Sequence, residues 1–116
     1  MPLLKLQVSS GTITDEKRDD ILRTLSKAVA EIIGKPEKYV MVSIEESTFF
    51  MSGEPGPAAF AEVSSIGGLN IKVNNDLTKK ICSLLNRTLS ISPERIYVAF
   101  YDVSANDWGW NGSTFG

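Results

Sequence analysis

KPEKYVMVSI, residues 35–44, and SPERIYVAFY, residues 92–101, share a plan: Pro-Glu-basic, then an alternating apolar run. Alternation at period two is the mark of a half-buried strand. In YVMVSIEE, residues 39–46, Val40, Val42 and Ile44 fall on one face. In IYVAFY, residues 96–101, Ile96, Val98 and Phe100 do so, and Tyr97, Ala99 and Tyr101 look the other way. What precedes each copy is also alike. Before the first, Ile21, Leu22, Leu25, Ala28, Val29, Ile32 and Ile33 follow helical spacing, Thr14 with Asp15 and Glu16 makes a start, and Gly34 and Pro36 make a stop. Before the second, Asn74, Asn75 and Asp76 offer a helix start, Leu77, Ile81, Leu84, Leu85 and Leu89 form its apolar face, and Pro93 closes it.

A strand leads each helix. LLKLQV, residues 3–8, alternates until Gly11; AAFAEVSSI, residues 58–66, is a weaker strand rich in small residues. The order β-α-β then β-α-β predicts an α+β fold, with a pseudo-repeat over residues 1–50 and 58–105 of one domain spanning 1–116. Each helix crosses between parallel strands. Four strands then form one mixed sheet with both helices on one face. The opposite face, which includes Tyr97, needs a neighbouring subunit. FFMSGEPGPAAF, residues 49–60, is a turn-rich loop on this reading. NDWGWNGSTFG, residues 106–116, is irregular structure packed through Trp108, Trp110 and Phe115.

Composition restricts the chemistry. The 116 residues are 42% apolar and carry a net charge of -2, with no basic stripe for nucleic acid. No apolar run approaches the roughly 20 residues of a membrane helix, and no signal peptide is visible, so the expected location is the cytoplasm. There is one cysteine, Cys82, among the apolar positions of the second helix, and no histidine. That removes internal disulfides, Cys/His zinc sites and histidine bases; no metal or cofactor is expected.

The amine at the chain start becomes the leading base. MPLLKL places Pro2 behind Met1, and removal of Met1 would leave a secondary amine with few torsions. A free α-amine has a pKa of about 7.7–8.0, and burial or a nearby cation lowers it toward the range of an efficient base. The plain alternative is that Pro2 merely permits methionine removal. Lys35 is either a solvated lysine beside helix carbonyls or a cation that binds a carboxylate and holds down the proton affinity of that amine. SSIGG, residues 64–68, is either a flexible turn or a loop whose backbone N–H groups bind an anion. Tyr97 is a core-edge aromatic or a donor to a substrate oxygen, and Trp110 and Phe115 are packing or pocket walls.

Taken together, MPLLKLQV, IIGKPEKYVMVSI, SSIGG and ISPERIYVAFYDVSANDWGWNGSTFG resemble the macrophage migration inhibitory factor family of the tautomerase superfamily, nearly end to end. The resemblance implies a homotrimer with active sites at subunit interfaces. It implies keto–enol tautomerisation of a small α-keto acid such as phenylpyruvate, with Pro2 as base. Lys35 and the SSIGG loop, through Ser65 and the backbone N–H of Ile66, would bind the substrate carboxylate. Tyr97 would reach in from the adjacent subunit, Trp110 and Phe115 would form the hydrophobic mouth, and Tyr39 its rim.

Three departures qualify the match. Ala99 stands where the mammalian pattern has asparagine, which removes a hydrogen-bond partner and argues against catechol-like substrates. AAFA, residues 58–61, replaces the CxxC of the mammalian cytokine, which excludes thiol–disulfide activity. Trp108 stands where a small aliphatic residue is common, which narrows the pocket or favours flat substrates. The alternatives are a cytokine-like binding trimer with a vestigial pocket, and a dehalogenase or decarboxylase of small carboxylates. The latter wants arginines at the base, whereas Arg18, Arg23, Arg87 and Arg95 are placed on or beside helices.

Overall fold

The computed structural model describes residues 1–9, 11 and 13–116. Its chain runs β1 (Pro2–Ser9), α1 (Asp15–Ile33), β2 (Met41–Ser47), β3 (Phe50–Met51), β4 (Glu54–Pro55), β5 (Ala59–Ser65), α2 (Ile71–Leu89), β6 (Ile96–Asp102), β7 (Gly109–Trp110) and β8 (Ser113–Thr114). The main sheet has the order β2-β1-β5-β6. β1 pairs parallel with β2, β5 parallel with β6, and the two units join through the antiparallel β1–β5 pair. This is the four-stranded mixed sheet with two helices that the repeated motif predicts.

The core lies between the sheet and the helices. Leu4, Leu6 and Val8 of β1, and Ala59, Ala61 and Val63 of β5, meet Ile21, Leu25, Val29 and Ile33 of α1 and Leu77, Ile81, Leu84 and Leu85 of α2. Period-two alternation then turns Leu3, Lys5, Met41, Phe60, Glu62, Tyr97 and Tyr101 to the opposite face. Met41 and Tyr97 are each 66% exposed there. Val98 and Phe100 pack against the core from β6, as their spacing predicts.

Local chemistry explains the helix ends. The Thr14 side chain accepts a hydrogen bond from the Lys17 N–H, and Gly34 leaves α1 in the left-handed conformation at φ 80°. α2 corrects the sequence-based start at Asn74–Asp76. It begins at Ile71, where Asn70 stays extended and its side chain caps the Val73 N–H. The first turn of α2 includes an 83%-exposed Ile71, so apolar spacing does not reveal it. α2 stops at Leu89, with Ser90 left-handed at φ 56°; Pro93 instead opens a short 3₁₀ turn before β6.

Three further expectations change. Tyr39 is not in a strand: Glu37–Tyr39 is a 3₁₀ turn after Pro36, and β2 starts at Met41. Residues 49–60 contain a hairpin, β3–β4, closed by Ser52 and Gly53 at φ 56° and 74°. The tail contains another, β7–β8, closed by Asn111 and Gly112 at φ 51° and 90°. Two consecutive positive φ values are what a tight two-residue hairpin demands, and Asn-Gly is its strongest sequence signal. Among the described residues, no helix is long and apolar enough to cross a membrane.

Candidate active site

The register collects several candidates at one end of the sheet. Pro2 pairs with Ser65, and Ser65 with Asp102. β2 begins at Met41 opposite Leu3, which brings the preceding 3₁₀ turn beside the start of β1. α1 ends at the same place, because the chain goes directly from Gly34 through Lys35 and Pro36 into that turn.

Pro2 is fully buried, on the same side of β1 as Leu4 and Leu6. With Met1 attached, the Pro2 nitrogen is a tertiary amide and has no basicity; the amino group belongs to Met1. That amino group is held below the ordinary α-amine value of 8.0, first by burial and then by the positive charge of Lys35. Both causes disfavour the protonated form. The lysine thus lies close enough to act on an amine at this position.

Lys35 is half-buried, and its stem packs on the following loop. A Cβ added at Gly68 would sit 3.4 Å from Lys35 Cε, 3.2 Å from the Ile33 carbonyl oxygen and 2.9 Å from Ile33 Cγ2. Gly68 has φ +82°, so glycine is required there both by space and by backbone. Ser65, at the end of β5, is completely buried, and Ile66 follows in the turn, half-buried. Ser65 Oγ donates to the Gly67 carbonyl at 2.7 Å, and the Gly67 N–H donates to Asp102 Oδ1 at 3.2 Å. Asp102 went unnoticed in the sequence because only the β5–β6 register sets it against the loop.

The aromatic candidates form a cluster of their own. Trp110 stacks on Phe115 with centroids 5.9 Å apart and an interplanar angle of 12°. Tyr39 meets Trp110 edge-on at 5.8 Å, and Lys38 Nζ lies 5.0 Å from the Tyr39 ring centre. Trp110 is 53% exposed, so the cluster keeps an open apolar surface. Trp108 is half-buried; its carbonyl accepts the Phe115 N–H at 3.1 Å, which folds the tail back.

Tyr97 and Ala99 lie elsewhere within the chain. Tyr97 pairs with Phe60, five residues along β6 from Asp102, or about 17 Å at strand spacing. It lines a cleft of about 250 Å³ with Phe50, Met51, Phe60 and Arg95. Ala99 pairs with Glu62. At that distance Tyr97 does not touch a small molecule held at Pro2 of its own chain. Arg95 is the second residue missed. It sits in a 3₁₀ turn beside β6, but its guanidinium donates to the carbonyls of Pro57 at 2.6 Å, Met51 at 3.3 Å and Glu54 at 3.2 Å. Burial pushes the Cys82 thiol up, which suits a packing role on α2.

Comparison with known proteins bears on the family and the fold. The family model described as macrophage migration inhibitory factor matches residues 1–116. The macrophage migration inhibitory factor of Xenopus laevis is 33% identical over 116 residues, 99% of each chain. The solved structure of the homologue from Prochlorococcus marinus is 40% identical, with a TM-score of 0.91 over 98% of this chain and 99% of that one. The macrophage migration inhibitory factor-like protein of Entamoeba histolytica superposes with a TM-score of 0.93 at 31% identity, over 98% of each chain.

Proposed function

This chain belongs to the macrophage migration inhibitory factor family, and from that premise we propose that it is a keto–enol tautomerase of small α-keto acids such as phenylpyruvate, working as a cytoplasmic homotrimer. Pro2, freed by removal of Met1, is the base. Its ring nitrogen takes the proton from the enol oxygen and delivers a proton to the far carbon of the enol double bond, or runs the reverse course. The nitrogen therefore ends each cycle as it began, and no redox partner is consumed.

One observation carries the reading: Pro2 is buried at the end of β1 opposite Ser65, with the Lys35 stem against the loop that follows, and the Met1 amino group one residue ahead of it is held below its ordinary value by burial and by Lys35. A base ready near neutral pH needs that bias. Lys35 and the Ile66 N–H, at the end of the Ser65 strand, take the substrate carboxylate. Tyr97 of an adjacent copy completes the pocket, because its own chain holds it about 17 Å away along the strand. Tyr39, Trp110 and Phe115 supply an apolar mouth for an aryl group, with Trp108 behind them and Ala99 leaving room beside Tyr97.

The test is an enol-ketonisation assay on three preparations: the Met-processed chain, a chain that retains Met1, and Pro2→Gly. The processed chain is expected to be active. Blocking the nitrogen is expected to cost at least about a hundredfold, the lower range for general acid–base catalysis. Pro2→Gly, which keeps an amine but loses the ring, is expected to fall between them. Equal rates for all three would exclude Pro2 as the base.

A further inference from the structure

The loop that follows β5 is braced more heavily than a flexible turn requires. Ser65 is fully buried, and its carbonyl accepts the Val103 N–H at 2.9 Å. Its hydroxyl holds the Gly67 carbonyl, and Asp102 holds the Gly67 N–H. Gly67 and Gly68 are both left-handed, at φ +72° and +82°, and Gly68 is pressed against Ile33 and Lys35. The Ile66 amide therefore sits between two anchored neighbours. The Gly67 amide, already bound to a carboxylate, is not free to bind another.

We infer that Asp102 is a positioning residue that acts through the Gly67 backbone: it fixes the Ile66–Gly68 turn and leaves the Ile66 N–H as the loop's donor for a substrate carboxylate. This rests on the proposed reaction and adds a residue outside the substrate's reach. Asp102 brings a negative charge close to a site for anions, but it is exposed, so solvent screens that charge while one oxygen accepts the Gly67 N–H. What the site uses is the acceptor oxygen, not the charge. Asparagine at position 102 preserves such an oxygen; alanine does not.

The experiment compares Asp102→Ala and Asp102→Asn with the processed wild type, using phenylpyruvate and its methyl ester, which lacks the carboxylate. Asp102→Ala is expected to raise KM for the acid about tenfold while kcat stays within about threefold, the split expected when binding shared equally by ground state and transition state is lost. The ester should be turned over alike by all three proteins, and Asp102→Asn should match wild type on both compounds. An unchanged KM in the alanine variant overturns the inference. So does a parallel loss on acid and ester, which would indicate general damage to the fold, or an asparagine variant as impaired as alanine. Amide exchange at Gly67 is followed on the same proteins and needs no substrate. It should quicken in Asp102→Ala only. If the wild type acts on neither compound, the proposed reaction fails, and this exchange alone then decides the brace: equal rates in the two variants and wild type overturn it.

Discussion

Lys35 and Gly68 show how one side chain and one missing side chain divide the work at the sheet end. The lysine lowers the proton affinity of the terminal amine, although burial contributes more. If the Pro2 amine freed by Met1 removal is the base, as proposed, its neutral form is the active one, and kcat/KM is expected to rise with pH and level off above its pKa. Replacing Lys35 by alanine removes one of the two causes. The rising limb is then expected to move to higher pH, part of the way toward the ordinary amine value of about 7.7–8.0, and KM for a carboxylate substrate should rise. A limb that stays in place, measured over pH 5–9, would separate Lys35 from the base. Gly68→Ala attacks the same corner sterically. Its Cβ would stand 2.9 Å from Ile33 Cγ2 on a backbone at φ +82°. The left-handed conformation alone costs about 1–2 kcal/mol for a residue with a Cβ. Urea denaturation is expected to show at least that loss, with the Lys35 stem displaced.

Among the elements, the β3–β4 hairpin is the one most exposed to a single change. It has two residues in each strand, far too few to stand alone. Arg95 supplies three bonds to its carbonyls and to that of Pro57. Charge-assisted bonds of this sort contribute roughly 1.5–3 kcal/mol. Arg95→Ala should cost about 2 kcal/mol on that scale and quicken amide exchange across residues 50–57. Lysine should not rescue it, because one ammonium cannot reproduce the planar fork. Exchange unchanged by the substitution would show that the hairpin stands without it. The elements also show what could be read from the chain directly. β1, α1, the body of α2 and β6 follow from period and caps, since each buries an apolar face against the same core. The hairpins did not follow, because two-residue strands have no period to detect; Asn111-Gly112 was the visible signal. Within the site, Pro2, Lys35 and SSIGG were legible as residue types. Asp102 and Arg95 were not, because their partners lie 35 to 44 residues away in the chain.

At the scale of the molecule, the helix-free face is the surface on which the proposed assembly would rest. Phe50 is 70% exposed, Met41 and Tyr97 66%, and Tyr101 46%. Burial of apolar area contributes roughly 25 cal/mol per Å², so aromatic and sulfur side chains of this size favour association strongly. Sedimentation equilibrium is expected to give three times the 12.7 kDa chain mass. Tyr97→Glu and Phe50→Glu, at positions 66% and 70% exposed within one chain, should shift the mass downward and abolish tautomerisation together. A monomeric wild type, or a monomeric variant with full activity, would remove Tyr97 from the site.

The central position of β1 has a practical corollary. It is flanked by β2 on one side and β5 on the other, with Pro2 sealed at its end. Any affinity tag or fusion joined ahead of Met1 locks the Pro2 nitrogen into a peptide bond. On the proposed mechanism, such a recombinant product is expected to fold and purify normally and yet to test as inert. A tag at Gly116, on an exposed end, leaves that nitrogen free but extends the chain directly from Phe115 of the proposed mouth.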